Sequence, residues 1–279
     1  MINANSKLAA NYWQNGKLDC PVIDFHAHMH EIASLYFPYT DETNMARTMD
    51  ECGTRWTLFC SHLALYDPLE GESVQKKAVQ QFPDYFKAYH GVISLYADPE
   101  KDIQDIMDNP DVYVGCKFFC DYNRTPLNSP IHTPYFEFLN EHKLLALLHT
   151  WGGSQYNGAD HVAEVAAKYP NITFICGHSF CDGFEYAHSC LAGLPNIYYE
   201  LTAVPIYRGF IEEICEKAGS DRLLFGSDMP WFSTKQTIGC VLSADLTDDD
   251  RENIFWRNGS KILNRFDWFD INPRGKTFR

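Results

Sequence analysis

Eight short apolar runs, separated by longer amphipathic stretches, constrain the fold of this 279-residue chain more than any other feature. The predicted strand ends within these runs, near residues 28, 61, 93, 117, 149, 178, 202 and 228, lie roughly 24 to 33 residues apart, close to the ~30 residues of one strand–helix unit. Eight such units give about 250 residues, the usual size of a closed (β/α)8 barrel. The runs occupy residues 21–29, 54–62, 86–94, 114–120, 144–152, 172–180, 197–205 and 222–230.

The stretches between the runs carry helix signals. Asp98 is a predicted N-cap followed by Pro99 at the first helical position, and Thr247 precedes an acidic residue three positions on. An open doubly wound sheet is the rival architecture, but no glycine-rich phosphate loop supports it. We therefore predict an α/β fold: a single TIM-barrel domain over 1–279, with a barrel core at about 20–265 and a C-terminal tail at 266–279.

The charge and hydropathy of the chain indicate which classes of partner it can bind. The chain has 23 Lys and Arg against 37 Asp and Glu, a formal net charge of −14, which disfavours nucleic acid and membrane surfaces. No apolar run approaches the ~20 residues that span a bilayer, and the N-terminus lacks the apolar core of a signal peptide. We expect a cytoplasmic protein that binds a small molecule, with a homodimer left open. The ten cysteines form no CxxC pair, so reduced core thiols are expected.

Histidines and an aspartate stand at the ends of several runs. The first run ends in Asp24-Phe25-His26-Ala27-His28, and strand alternation predicts both imidazoles on one face with Asp24 beneath them. His149, His178 and Asp228 stand at the predicted ends of the fifth, sixth and eighth strands. Barrel enzymes place their sites at these strand ends. Any one histidine could equally be a buried, hydrogen-bonded structural residue, but the set together favours a divalent metal site.

A family resemblance runs through these motifs in order. VIDFHAHM, VGCKFF, LLHTWGG, FICGHSF, LLFGSDMPW and ENIFWRNGSKIL resemble the strand motifs of the amidohydrolase superfamily, across about residues 20–265. They look most like its amidohydrolase-related branch, whose members resemble aminocarboxymuconate-semialdehyde decarboxylase. That branch includes aromatic-acid decarboxylases, lactonases and hydratases, so the resemblance implies a metal-dependent TIM-barrel enzyme.

The resemblance also implies roles for individual residues. The metal ligands would be His26, His28, His149 and Asp228. His178 matches the histidine that contacts substrate or acts as acid and base in relatives. One divalent ion is implied, with zinc expected and manganese or iron as alternatives.

Lys117, in the fourth run, is the ambiguous position. In binuclear relatives a carboxylated lysine on that strand bridges two metals, whereas this branch is usually mononuclear. We therefore do not expect a second metal through Lys117. The resemblance leaves it to orient a substrate carboxylate or to line the pocket.

The favoured reaction is hydrolysis of an amide or lactone bond in a small, carboxylated substrate by a metal-activated water. Asp228 would take the proton of that water and pass it to the leaving group, while His178 and the metal polarise the carbonyl. Decarboxylation of an unsaturated or aromatic acid, or hydration, is the alternative. A non-catalytic metal-binding protein is a minor one.

Other polar and aromatic residues near the predicted mouth are candidates for substrate contacts. Lys117 and Arg124 could face a substrate carboxylate, and Trp151 could stack on a flat ring. Asp24 could orient a metal-binding histidine, because such ligands usually carry a second hydrogen bond. Glu200 would equally serve as a salt-bridge partner inside the barrel.

Overall fold

The computed structural model describes residues 6–16, 18–32, 34–204 and 207–274. Eight parallel strands pair in chain order, each with the next, which confirms the predicted (β/α)8 barrel. Strand order and helix alternation both follow from the eightfold recurrence of apolar runs. The strands are β1 (Val22–Met29), β2 (Thr54–Ser61), β3 (Phe86–Val92), β4 (Tyr113–Phe118), β5 (Leu145–His149), β6 (Thr173–Gly177), β7 (Ile197–Glu200) and β8 (Leu223–Leu224).

Helices alternate with the strands and surround them. Asp98 caps the backbone amide of Lys101, and Thr247 forms a reciprocal capping box with Asp250, so both predicted helix starts are confirmed. The helices are α1 (Lys7–Asn15), α2 (Glu42–Cys52), α3 (Pro68–Gln81), α4 (Pro99–Asp108), α5 (Cys120–Asn123), α6 (Thr133–His142), α7 (Ala159–Lys168), α8 (Phe184–Leu191), α9 (Phe210–Ala218), α10 (Thr234–Ser243), α11 (Asp248–Glu252) and α12 (Asn258–Leu263).

The segment after β8 closes the barrel against β1. The Phe25 amide donates to the Phe225 carbonyl at 2.9 Å, and the Asp228 amide donates to the His26 carbonyl at 2.8 Å. The His28 amide then donates to Met229 at 2.7 Å. These bonds satisfy the edge of β1 although β8 itself is only two residues long. They also bring Asp228 directly beside the two histidines of β1.

Several strands end earlier than the apolar runs predict. The seventh run, predicted over 197–205, is a strand only to Glu200, and the sixth ends at Gly177. His178 begins a 3₁₀ turn in which His178, Ser179 and Phe180 all have positive φ. That conformation turns the backbone out of the sheet. It places His178 at the rim of the barrel rather than within a strand.

The smaller of two apolar clusters fills the barrel. It contains residues of both β1 and β5, among them Phe25 and Leu147. Strands on opposite sides of the ring can meet only in its interior. The C-terminal segment packs against this cluster through Trp268, Phe269 and Ile271, and the Trp56 indole donates to the Asp270 carbonyl at 2.7 Å.

The ten cysteines are all free thiols, six of them buried, in agreement with a reduced core. Among the residues that the structure describes, no helix is both long enough and apolar enough to cross a bilayer.

Gly115 on β4 offers a test of strand packing. A Cβ built on Gly115 would overlap the carbonyl oxygen of Leu145 on β5, which is backbone and cannot move without distorting the sheet. We expect Gly115→Ala to lower the free energy of unfolding by about 3 kcal/mol or more. Urea denaturation measures this. Gly193→Ala is the matched control because a Cβ at Gly193 meets nothing within 4 Å; equal stability of the two variants would contradict the expectation.

Candidate active site

His26 and His28 meet Asp228 at the mouth of the barrel. Asp228 Oδ1 lies 3.3 Å from His28 Nε2 and 3.7 Å from His26 Nε2. All three ligand atoms fall within 4.8 Å of one another. The three side chains are buried, so they can share an ion with little competition from bulk water. The structure therefore brings together three of the four predicted metal ligands.

The Nδ1 atoms of both imidazoles already have hydrogen-bond partners in the protein. His26 Nδ1 lies 2.8 Å from Glu200 Oε2, and His28 Nδ1 lies 3.1 Å from the Cys60 carbonyl oxygen. A carbonyl oxygen only accepts, so His28 carries its proton on Nδ1 and keeps the Nε2 lone pair free. The Glu200 carboxylate favours the same tautomer for His26. This is the arrangement that supports imidazole ligands in metal sites.

Glu200, rather than Asp24, has the orienting role that the sequence suggested for Asp24. Strand pairing shifts register between Asp24 and Ala27, so simple alternation fails, and Asp24 does not bond a histidine ring. Its carboxylate accepts from the Ser227 amide at 3.0 Å and from the Ser227 hydroxyl at 2.5 Å, fastening β1 to the closing segment. Burial raises the pKa of Asp24 to about 7. Glu200 is the residue that orients His26, and burial raises the pKa of its carboxyl.

Asp228 lies in a turn held at both ends. Its amide donates to the His26 carbonyl, and its own carbonyl accepts from the Trp231 amide at 2.7 Å. Burial alone would raise the pKa of its carboxyl, but the contact with His28 and the electrostatic effect of the neighbouring His26 and Lys117 hold that pKa well below its usual range. The carboxylate is therefore ionised at neutral pH.

Lys117 lies below the cavity rather than in its wall. Its side chain is fully buried, and Nζ lies 2.8 Å from His26 Nε2. Burial lowers the pKa of this amine to about 8. Lys117 is thus close enough to contact whatever His26 binds. Arg124, the other predicted cation, is exposed and does not line the cavity.

His178 and Trp151 form one wall of the cavity. Their rings stack with centroids 4.4 Å apart and planes 15° apart. His178 Nδ1 lies 3.3 Å from the Thr202 carbonyl oxygen, so this nitrogen carries the proton. The buried Nε2 has no hydrogen-bond partner within the part of the chain that the structure describes. Burial, followed by the charges of His149 and Lys117, lowers the pKa of His178. Neutral His178 therefore accepts a proton at Nε2, whereas polarising a carbonyl would require a donor there.

His149 ends β5 as predicted, but its nitrogens face other residues. Trp151 Nε1 donates to His149 Nε2 at 3.1 Å, and His149 Nδ1 lies 3.7 Å from Asp121 Oδ2. Its ring packs edge-on against His178 with centroids 4.7 Å apart. The structure places His149 in the cavity wall, outside the group formed by His26, His28 and Asp228.

The cavity above these residues has a volume of about 210 Å³. Of the described residues, neither a lysine nor an arginine is among the side chains lining it. Aromatic side chains dominate its walls, namely Phe119, Tyr122, Trp151, Trp231 and Phe232. His62 also lines it. The sequence does not single out this residue as a site candidate, although it follows the second predicted strand end, near residue 61.

A second group of possible ligands, Glu72, His90 and Asp105, lies between the barrel wall and helices α3 and α4. Its carboxylates are already engaged: Glu72 accepts from the Gly91 amide at 3.1 Å, and Lys76 pairs with Asp105 at 2.8 Å. Hydrogen bonds and an ion pair thus occupy both carboxylates of this group, although the buried His90 Nδ1 has no hydrogen-bond partner among the residues described here. At the barrel mouth, by contrast, the carboxylate oxygen Asp228 Oδ1 itself has no hydrogen-bond partner among those residues. Donor chemistry favours the barrel mouth as the metal site.

Glu200 provides a test of how His26 is held. Thr202 donates to Glu200 Oε1 through its amide and its hydroxyl. A glutamine would keep its oxygen there and turn its NH₂ toward His26 Nδ1, which would force the imidazole proton onto Nε2. We expect Glu200→Gln to weaken metal affinity by roughly 10- to 100-fold, measured by chelator competition. Glu213→Gln, on the exposed side of α9, is the control; equal affinities would contradict this role.

A family model described as amidohydrolase matches residues 90–265, well over half of the chain. The chain belongs to the amidohydrolase family. The matched segment contains His149, His178 and Asp228, while His26 and His28 precede it. The resemblance inferred from the strand motifs is thus confirmed.

Solved structures share the fold at low sequence identity. An uncharacterised TIM-barrel protein from Bordetella bronchiseptica superposes with a TM-score of 0.72 at 14% identity, covering 88% of this chain and 99% of that one. A 2,6-dihydroxybenzoate decarboxylase from Rhizobium gives 0.66 at 15% identity, with 88% and 99% covered. A 5-carboxyvanillate decarboxylase from Novosphingobium aromaticivorans, complexed with manganese, gives 0.70 at 14%, with 88% and 96% covered. No curated protein sequence matches this chain.

Proposed function

We propose that this amidohydrolase-family protein is a metal-dependent hydrolase that cleaves an amide or lactone bond in a small, carboxylated substrate. The observation that carries the proposal is the convergence of His26, His28 and Asp228 within 4.8 Å, beside a cavity of about 210 Å³. A cavity of this size suits a compact, single-ring substrate.

His26, His28 and Asp228 are the proposed ligands of one divalent ion. Two imidazoles and a carboxylate suit zinc or manganese. We expect zinc, and manganese is the ion in the 5-carboxyvanillate decarboxylase complex. His149 was expected as a fourth ligand, and that role would require its ring to turn away from Trp151. The ion would also compete with the Lys117 amine for His26 Nε2, so we expect Lys117 to shift when the ion binds.

A bound divalent ion supplies a water of lowered pKa and polarises the scissile carbonyl. Asp228, ionised and adjacent to the ligand nitrogens, accepts the proton of the attacking water and passes it to the leaving group. His178 accepts a hydrogen bond at its unpaired Nε2, which orients the water for attack. Lys117, buried below the cavity beside His26 Nε2, contributes a positive charge that attracts an anionic substrate.

Decarboxylation of a small aromatic acid is the second candidate. The aromatic cavity walls favour a flat ring, and two proteins of similar fold are aromatic-acid decarboxylases. In this reaction, the carboxyl group would be held by the ion near the buried Lys117 amine. His178 Nε2 or Asp228 would first take up a proton from water and then pass it to the ring carbon as carbon dioxide leaves. A common set of side chains thus supports either reaction.

A two-channel assay separates the candidates. Protein reconstituted with zinc or manganese is incubated with small carboxylated lactones, amides and monocyclic aromatic acids, while acid release and carbon dioxide release are followed together. We expect metal-dependent acid release from a lactone or amide, and none from His28→Ala. Release of carbon dioxide without acid release would show that the protein is a decarboxylase and not a hydrolase. Turnover that survives removal of the metal would contradict both proposed reactions.

A further inference from the structure

His62 is a buried imidazole at the barrel mouth that neither the proposed metal set nor the proposed proton transfer uses. It begins the 3₁₀ turn His62–Leu65 after β2, and 1% of it is exposed. Its ring stacks on that of His28, with centroids 4.6 Å apart and planes 14° apart. It therefore packs directly against a proposed metal ligand.

Both ring nitrogens of His62 are committed to protein partners. Nε2 accepts from the Trp231 indole nitrogen at 2.8 Å, and Nδ1 lies 3.0 Å from the His30 carbonyl oxygen. An indole N–H only donates and a carbonyl only accepts, so the proton of His62 lies on Nδ1. No nitrogen remains for an ion, a substrate or a transferred proton. His62 can influence the site only through the residues it holds.

One of those residues, Trp231, closes the turn that carries Asp228. The Trp231 amide donates to the Asp228 carbonyl at 2.7 Å, while the Asp228 amide is fastened to the His26 carbonyl at 2.8 Å. The Trp231 ring also lines the cavity. The hydrogen bond from Trp231 to His62 thus fastens the far end of the Asp228 turn to the loop after β2.

The loop that bears His62 is itself anchored. The Ser61 amide donates to the Gln75 side chain at 2.6 Å, which ties the end of β2 to α3. The Ser61 hydroxyl accepts from the Leu63 amide at 3.2 Å and so caps the turn. His62 is therefore a fixed point against which Trp231 can be held.

We propose that His62 is a positioning residue that acts through Trp231 to hold the Asp228 turn, and with it one cavity wall, against β1. Its effect on turnover rests on the proposed function. The Trp231–His62 hydrogen bond does not, and it is measurable without any substrate.

The first test is spectroscopic and uses full-length protein labelled with ¹⁵N-tryptophan. The chain has six tryptophans, and the Trp231 indole resonance is assigned by its loss in Trp231→Phe. His62→Phe keeps a ring to stack on His28 but lacks an acceptor. We expect it to move the Trp231 resonance, and we expect His62→Gln, whose carbonyl oxygen can replace Nε2, to restore it. An unchanged resonance in His62→Phe would overturn the proposal.

The second test is kinetic, on the metal-loaded enzyme. Small displacements of reacting groups cost up to ~100-fold in rate, so we expect His62→Phe to lower kcat by roughly 10- to 100-fold with metal content unchanged. His62→Gln should recover most of that loss. The positioning role would be overturned if the kcat of His62→Gln were no higher than that of His62→Phe. It would also be overturned if the kcat of His62→Phe equalled that of the native protein.

His132 provides the matched control. It is also 1% exposed, and its two ring nitrogens face the Ser94 hydroxyl at 2.9 Å and the Leu127 carbonyl at 3.0 Å, away from the cavity. We expect His132→Phe to lose stability but to leave kcat and the Trp231 resonance unchanged. If the native protein turns over no substrate, the proposed function fails, and the resonance shift still decides whether His62 holds Trp231.

Discussion

Asp228→Asn is expected to lower turnover by roughly 10²- to 10⁴-fold, the range that general acid–base groups contribute. Asparagine keeps the size and one oxygen of the side chain but neither accepts the proton of water nor carries a charge. The native carboxylate is held ionised by His28, His26 and Lys117 against the effect of burial. Steady-state kinetics with the measured metal content of each sample separate lost proton transfer from lost metal.

Asp182→Asn is the control for that variant. Asp182 is exposed on the loop after β6, where it accepts from the Tyr207 hydroxyl at 3.2 Å. We expect this substitution to leave turnover within about threefold of the native value, as surface changes usually do. Asp228→Asn with native turnover and native metal content would contradict the role of Asp228 in proton transfer.

His178→Asn is expected to lower turnover by roughly 100-fold. The asparagine amide can still donate to the Thr202 carbonyl, as Nδ1 does, but nothing replaces the unpaired Nε2. The fold should therefore persist while the acceptor is lost. Kinetics at saturating and limiting substrate should show the loss mainly in kcat, because an interaction of the transition state is removed.

His188→Asn provides the comparison for His178. His188 lies on α8, where its Nδ1 lies 3.3 Å from the Tyr199 hydroxyl and it does not line the cavity. We expect native turnover from this variant. A loss in His178→Asn no larger than that in His188→Asn would show that the Nε2 acceptor is not needed.

Sequence patterns predicted the barrel because each unit repeats the same alternation of buried strand and amphipathic helix. They overestimated the length of the seventh and eighth strands, because apolar residues continue past Glu200 and Leu224, where these strands end. In the eighth unit, the residues after Leu224 remain buried because they close the barrel against β1. Burial alone cannot distinguish a strand from such a closing segment.

The site was predictable in part. His26, His28 and Asp228 converge because strand ends of a barrel share one rim. The roles of Asp24 and Glu200 were not predictable, since a register shift in β1 changes which neighbours Asp24 meets. His149 Nε2 is occupied by a hydrogen bond from the Trp151 indole, and His62 Nε2 is occupied by one from the Trp231 indole. These are side-chain contacts that depend on rotamers and on residues distant in sequence.

Metal content tests the central claim most directly. We would reconstitute the native protein and His28→Ala with zinc and with manganese, remove loosely bound ions, and count metal per chain by elemental mass spectrometry. We expect about one ion per native chain, and we expect that ion to be lost in His28→Ala. Native protein that stays free of metal after reconstitution, or a His28→Ala variant that retains a full equivalent, would contradict it.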